Sequence, residues 1–385
     1  MNKVCCVFNY NPLYRYPIYK AMSEAFDCDF FFGDTVFEPI KQFDATQLKG
    51  FKGFIHPKIL RFKGYIWHKG IWNIFKFRYT HYVVTGECRL LVNLLIFLWA
   101  KLLGRTFIIW THGEHQTYSK WTTRLILKSF YRSADKILMY GSYNLNYMID
   151  LGCVPNRIYT IHNSLDTGKH TELFGQMSIS PLYKNYFGND YPTVIYIGRL
   201  QKRKKIEQLI EAVASLKQKG ATYNIVLVGD NTSADYLYDV VNKYGMDKNV
   251  WFYGPSYKEE DNAELLYNAA VCVCPASVGL TAIHAMSYGC PVVSNDNMET
   301  QMPEFESIIE GETGSLFNEN DVEDLMKKIE FWCKTPSQDR EYLREKIRQH
   351  IIEDWSVDYQ INVLKKVLRR EYCGFVRLFH RRRTL

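Results

Sequence analysis

Ten cysteines stand at positions 5, 6, 28, 88, 153, 272, 274, 290, 333 and 373, and none forms a Cys-x-x-Cys pair. That scatter excludes a zinc ribbon and a disulfide framework, and it reads as buried thiols of a reducing compartment. No apolar run is long enough to span a bilayer. The longest, from Leu90 to Leu103, is interrupted by Asn93 and Lys101 and suits a buried or interfacial helix. No signal-peptide pattern is visible, because Met1 to Tyr10 runs straight into a strand-like segment and polar turn residues. The expectation is a cytoplasmic protein, peripheral on the inner face of the cell membrane. Internal repeats and long low-complexity segments are also missing. With 47% hydrophobic and 23% charged residues, disorder and fibrous architecture are excluded.

Acidic residues are absent from Lys49 to Arg78, where eight Lys or Arg stand among eight aromatics, including Trp67, Trp72, Phe75 and Phe77. From Leu364 to Leu385 eight more cations face the single Glu371. The formal net charge is only +7, so these two segments hold the whole excess and the remainder is mildly acidic. Cations interleaved with rings suit an anionic membrane surface. No nucleic-acid motif accompanies them, so a nucleic-acid partner is not expected.

Short apolar runs alternate with helix-period segments, the pattern of parallel sheets with crossover helices. Strands are expected at residues 3–8, 28–32, 81–85, 106–111, 136–140 and 157–161. The period fails from Asp166 to Pro192, and a second series then follows, with strands at 193–197, 224–228, 250–253, 271–274 and 291–294. The fold class is therefore α/β with two doubly wound, Rossmann-like domains facing a central cleft. The expected division is a first domain over 1–170, a linker over 171–191, and a second domain over 192–355. Residues 356–385 form a helix and basic tail that cross back to the first domain.

Two segments carry chemistry. In Tyr196-Ile-Gly198-Arg199-Leu-Gln-Lys-Arg-Lys204 a strand ends at a glycine followed by cations, which suits a diphosphate. In Cys274-Pro-Ala276-Ser-Val-Gly279-Leu280-Thr281-Ala-Ile-His284 a glycine turn opens a helix, whose first amides at Gly279, Leu280 and Thr281 make an anion site. An N-terminal turn, Asn9-Tyr-Asn-Pro-Leu-Tyr14-Arg15, is expected to face the same cleft, either as a ligand-contacting loop or as a plain strand-to-helix turn.

In this order and spacing the motifs resemble those of the retaining GT-B glycosyltransferases of family 4, the glycogen synthase-like superfamily, in a bacterial polysaccharide-type member. Arg199 and Lys204 match the family's Gly-Arg-Leu-x-x-x-Lys element; Gly229-Asp230 and Phe252-Tyr-Gly254 match its following strand ends. Thr111-His112-Gly113 is similar to the loop that contacts the donor sugar, and Pro303 to Gly314, with Glu306, is similar to the element before the last large helix. The resemblance implies catalytic roles for His112, Arg199 and Lys204. It implies donor binding by Gly198, Gly229, Gly254, Gly279, Leu280, Thr281, His284 and Glu306, and it makes the first domain the acceptor side, with Tyr14 and Arg15 of the N-terminal turn at an acceptor. The usual Glu-x7-Glu pair is altered to Ala276 and His284, so a neutral imidazole stands where a carboxylate commonly accepts from the nucleotide ribose.

The expected activity is metal-independent transfer of a sugar, with retention, from a nucleoside diphosphate sugar, UDP-linked by base rate, to a lipid-linked or oligosaccharide glycan acceptor. No Asp-x-Asp motif closes a strand, and no cofactor is expected besides the nucleotide sugar as co-substrate. The anionic membrane surface is expected to be met by the Lys49 to Arg78 segment and the tail. The alternatives are a nucleotide-sugar epimerase on the same fold and a catalytically silent partner of another transferase.

Overall fold

The computed structural model describes residues 2–34, 40–60, 64–113, 121–230 and 234–369. The first half is an eight-stranded sheet. Its strands are β1 (Lys3–Phe8), β2 (Asp27–Gly33), β3 (Phe51–Ile59), β4 (Ile66–Lys69), β5 (His81–Thr85), β6 (Thr106–Thr111), β7 (Lys136–Met139) and β8 (Ile158–Thr160). Their order is β4-β3-β2-β1-β5-β6-β7-β8, and every pairing is parallel except β3 with β4. Helices α1 (Tyr16–Ala25), α2 (Leu91–Leu102), α3 (Trp121–Ser133) and α4 (Leu145–Asp150) connect them. β1 is buried on both faces: Val4, Cys6 and Phe8 enter one core, Cys5 and Val7 the other.

The second half begins with the short helices α5 (Thr167–Phe174) and α6 (Leu182–Phe187). Its all-parallel sheet has the order β11-β10-β9-β12-β13-β14, from β9 (Thr193–Ile197), β10 (Asn224–Val228), β11 (Val250–Gly254), β12 (Val271–Cys274), β13 (Val292–Asn295) and β14 (Gly314–Phe317). Around it lie α7 (Ile206–Gln218), α8 (Asp235–Lys243), α9 (Glu259–Asn268), α10 (Leu280–Ser287), α11 (Val322–Cys333) and α12 (Ser337–Asp354). The strand order reverses between β9 and β12, which opens a crevice at the strands' carboxyl ends. The final helix, α13 (Val357–Val367), packs Ile361, Leu364 and Val367 into the first domain's core beside β1. Its last carbonyls are satisfied there: Lys136 Nζ donates to Val367 O (2.9 Å) and Asn2 Nδ2 to Leu368 O (2.7 Å).

Three expectations need correction or qualification. The segment read as irregular, Asp166 to Pro192, holds α5 and α6; the Asp166 side chain caps α5 by accepting from Lys169 N. The basic segment from Lys49 to Arg78 is built into the sheet edge as β3 and β4, with Ile55, Ile71 and Ile74 buried. Part of its charge is neutralised by the buried Asp29, which pairs with Arg78 and with Lys52 (3.7 Å). The basic tail from Tyr372 to Arg383 lies outside the described residues. None of the nine described cysteines is disulfide-bonded, and all but Cys88 are buried.

Candidate functional site

Three adjacent strand ends of the second domain make one wall of the crevice. Beyond β9 the chain turns at Gly198, with φ of 147°, and Gly198 N donates to Val228 O (2.9 Å). Gly229, after β10, lies so close that a Cβ there would come 1.9 Å from Gly198 O. Gly229 N in turn donates to Gly254 O (2.9 Å) at the end of β11. A cavity of about 570 Å³ opens over these turns, lined by Gly198, Arg199, Gly229, Asp230, Ser256 and Tyr257, with Lys41 reaching in from the first domain.

Lys204 is half-buried, and its Nζ donates to Ser277 O (2.8 Å), which ties the loop after β9 to the turn before α10. Burial holds its ammonium below the usual lysine value, and the neighbouring Arg203 and Arg199 push the same way. α10 opens at Gly279 with no side-chain cap, so its N-terminal turn keeps the partial positive charge of a helix start. Thr281 Oγ1 donates back to Ile197 O at the end of β9 (3.3 Å). The structure thus brings Gly198, Arg199, Lys204, Gly229, Gly254 and the Gly279–Thr281 turn to one side of the crevice.

The first domain supplies the opposite wall. His112 follows β6, exposed, with its ring against Tyr140 (4.5 Å between centroids). It lines a cavity of about 340 Å³ with Asn9, Tyr14, Arg15, Glu87 and Asn163. The Arg15 guanidinium lies 4.5 Å from the Trp110 ring centre, between the rings of Tyr19 and Tyr140, and donates to Tyr140 Oη. Its Nε and Nη2 have no hydrogen-bond partner. Tyr14 is also half-buried, and desolvation raises its phenol.

Two expected donor contacts are otherwise engaged. His284 Nε2 lies 2.7 Å from Glu259 Oε1 on α9, and Tyr288 Oη donates to the same oxygen (2.7 Å). The role assigned to an accepting imidazole nitrogen therefore does not fit Nε2. Glu306 binds no strand end of its own domain: Oε2 accepts from Ser142 N and Oγ (both 2.8 Å) and Oε1 from Tyr143 N (2.7 Å). It clasps the two domains together. Sequence reading missed Glu259 and His170, which lie on other helices, and it missed Glu304, two residues before Glu306.

Among the described residues, His170, Glu259 and His284 each offer one ligand atom within 4.8 Å of the others, a set of the type that holds a divalent cation. In the structure it is a hydrogen-bonded cluster centred on Glu259. Its carboxyl is held down to about 2: burial opposes this, but the His284 hydrogen bond and charge outweigh it. Burial, helped by His284, pushes His170 from an ordinary 6.5 down to about 4, and burial does the same to His68. A histidine depressed in the folded state takes its proton first in the unfolded chain. Its contribution is complete above pH 6.5 and is lost as pH falls toward 4, by up to roughly 3 kcal/mol per residue. The thermal midpoint is expected to drop between pH 6.5 and 4.5. A His68→Gln, His170→Gln double variant flattens that slope; an equally steep slope in the variant would contradict the assignment.

Residues 183–350 match the family described as glycosyl transferases group 1. An uncharacterized 41.2 kDa protein in the cps region of Klebsiella pneumoniae is 26% identical over 229 residues, 57% of this chain and 59% of that protein. The putative glycosyltransferase EpsD of Bacillus subtilis is 28% identical over 172 residues, 42% of this chain and 43% of its own length. The chain thus spans less than two thirds of these curated relatives. Among solved structures, Anabaena Alr3699/HepE in complex with UDP superposes with a TM-score of 0.71, covering 95% of this chain and 99% of that one at 14% identity. The lipopolysaccharide outer core galactosyltransferase WaaB, in its apo form, gives 0.66 with the same coverage and identity. At that identity the likeness is one of fold.

Proposed function

We propose that this GT-B chain, whose residues 183–350 match the glycosyl transferases group 1 family, is a glycosyltransferase of surface polysaccharide or lipopolysaccharide biosynthesis. The observation that carries the reading is the convergence of Gly198, Arg199, Lys204 and the Gly279 helix start on one crevice wall. The donor is a nucleoside diphosphate sugar, taken as UDP-linked; the presence of UDP on HepE supports that choice. When the bond to the anomeric carbon breaks, negative charge grows on the departing diphosphate. Arg199, Lys204 and the α10 amides stabilise it without requiring a metal ion. Transfer with retention, and membership of family 4, follow the resemblance of the motifs.

His112 orients the donor sugar from the opposite wall, and the cavity of Arg15 and Tyr14 receives the acceptor. A lipid-linked acceptor is supported by the first domain's surface. Leu94, Leu98 and Leu102 recur every fourth residue along α2 and stay exposed, with Trp72 (84% exposed) and Phe77 (69%) nearby in sequence. No helix among the described residues is long and apolar enough to cross a membrane. The enzyme rests on an anionic cytoplasmic surface through these side chains and the cations of the Lys49 to Arg78 segment.

A panel of nucleotide sugars distinguishes this reading from its competitors. Transfer releases nucleoside diphosphate only when a glycan acceptor is added. Isomerised sugar without release would mark an epimerase, and no turnover with any pair would mark a silent partner.

A further inference from the structure

Glu304 lies in the 3-10 turn Pro303–Ser307, on the seam between the domains, and is only 2% exposed. Its Oε1 accepts from Asn163 Nδ2 of the first domain (2.8 Å). Its Oε2 is buried and has no hydrogen-bond partner. That second oxygen would sit 4.0 Å from a Cβ built on Gly279, so it lies beside the opening turn of α10. Its charge also acts on the Tyr14 and Tyr140 phenols, both of which line the first domain's cavity. Desolvation raises the Glu304 carboxyl above its usual value, with the Asn163 hydrogen bond opposing.

A buried carboxyl oxygen left unpaired is costly, and a ligand group that satisfies it recovers part of that cost. The neighbouring helix start attracts anions, whereas a carboxylate repels them. A diphosphate is therefore steered to the α10 amides and away from Glu304, and a neutral polyol is the chemistry that suits Oε2. We infer that Glu304 binds a hydroxyl of the transferred sugar through Oε2, and so sets the sugar's orientation relative to the diphosphate. The inference rests on the glycosyltransferase reading and adds a donor contact to it. A hydroxyl serves either protonation state, donating to a carboxylate or accepting from the acid.

The test measures calorimetric affinity for UDP and for UDP-glucose, and turnover with the best donor of the panel, in wild type, Glu304→Gln and Glu306→Gln. Glu304→Gln keeps the shape and the Asn163 bond. It is expected to weaken the sugar nucleotide by tenfold or more, to leave UDP within twofold, and to change the pH profile of turnover. Glu306→Gln, which loosens the same clasp from its other side, lowers both affinities together and leaves their ratio intact. If Glu304→Gln also shifts both ligands equally, or shifts neither, Glu304 is only a clasp residue and the inference fails. If wild type binds neither ligand nor any other nucleotide sugar of the panel, the glycosyltransferase reading has failed and the inference with it.

Discussion

Replacing Lys204 with Ala is expected to lower the rate of sugar transfer by about 10²- to 10³-fold while the protein stays folded. The ammonium is half-buried and tethered to Ser277 O at 2.8 Å, so it is fixed before any ligand arrives. A pre-positioned cation in a site partly shielded from water acts on developing charge more strongly than a solvated one, because little reorganises during reaction. Burial already holds its pKa down, so an arriving diphosphate both gains a partner and restores the proton's affinity. Arg199, which is exposed, is expected to matter less when truncated, by about tenfold to a hundredfold in the same framework. The check is kcat and KM alongside a far-ultraviolet circular dichroism melt. Turnover within threefold of wild type in Lys204→Ala, with an unchanged melt, would remove Lys204 from the mechanism.

The second large effect comes from a single methyl group. In Gly229→Ala the new Cβ would meet Gly198 O at 1.9 Å and Leu200 Cγ at 3.2 Å. The first contact sets the new methyl, which has no rotamer to change, against a backbone carbonyl, so side-chain rearrangement cannot relieve it. The turn after β9 must move away from the turn after β10, breaking the Gly198 N to Val228 O bond that aligns them. Such overpacking is worth about 1–3 kcal/mol of stability. The displaced loop also carries Arg199 and Lys204, so donor affinity is expected to fall by about tenfold, the equivalent of ~1.4 kcal/mol. Urea unfolding and nucleotide titration read the two effects separately. A Gly229→Ala protein as stable as wild type, with unchanged affinity, would show that the strand ends are not packed as described.

These expectations rest on parts of the fold that differ in how plainly the chain announces them. β1, β9 and β10 are legible because they are buried on both faces, leaving continuous apolar runs such as the Ile-Val-Leu-Val of residues 225–228. β3 and β4 are not, because they form the sheet edge and intersperse Lys and His among partly exposed rings; composition suggested a surface patch where there is also paired backbone. α5 and α6, at eight and six residues, are too short for a helical period to emerge.

The candidate site divides in the same way. Gly198, Arg199, Lys204 and Gly279 belong to contiguous segments whose strand-turn-helix pattern carries its own geometry. Glu259 reaches His284 from 25 residues away, and only the packing of α9 against α10 could disclose that contact. Glu304 and Glu306 are two apart in one short 3-10 turn, yet one is buried against Asn163 and the other caps amides at Ser142 and Tyr143. Linear spacing cannot separate those roles, since it depends on how two domains meet.

The most direct measurement of the central claim is nucleoside diphosphate release by the purified full chain from its best nucleotide sugar, with and without a lipid-linked glycan acceptor. The expected result is release that rises at least tenfold with acceptor and yields an elongated glycan in equal amount. Release that ignores the acceptor, or its absence with every nucleotide sugar and acceptor pair, would contradict the assignment.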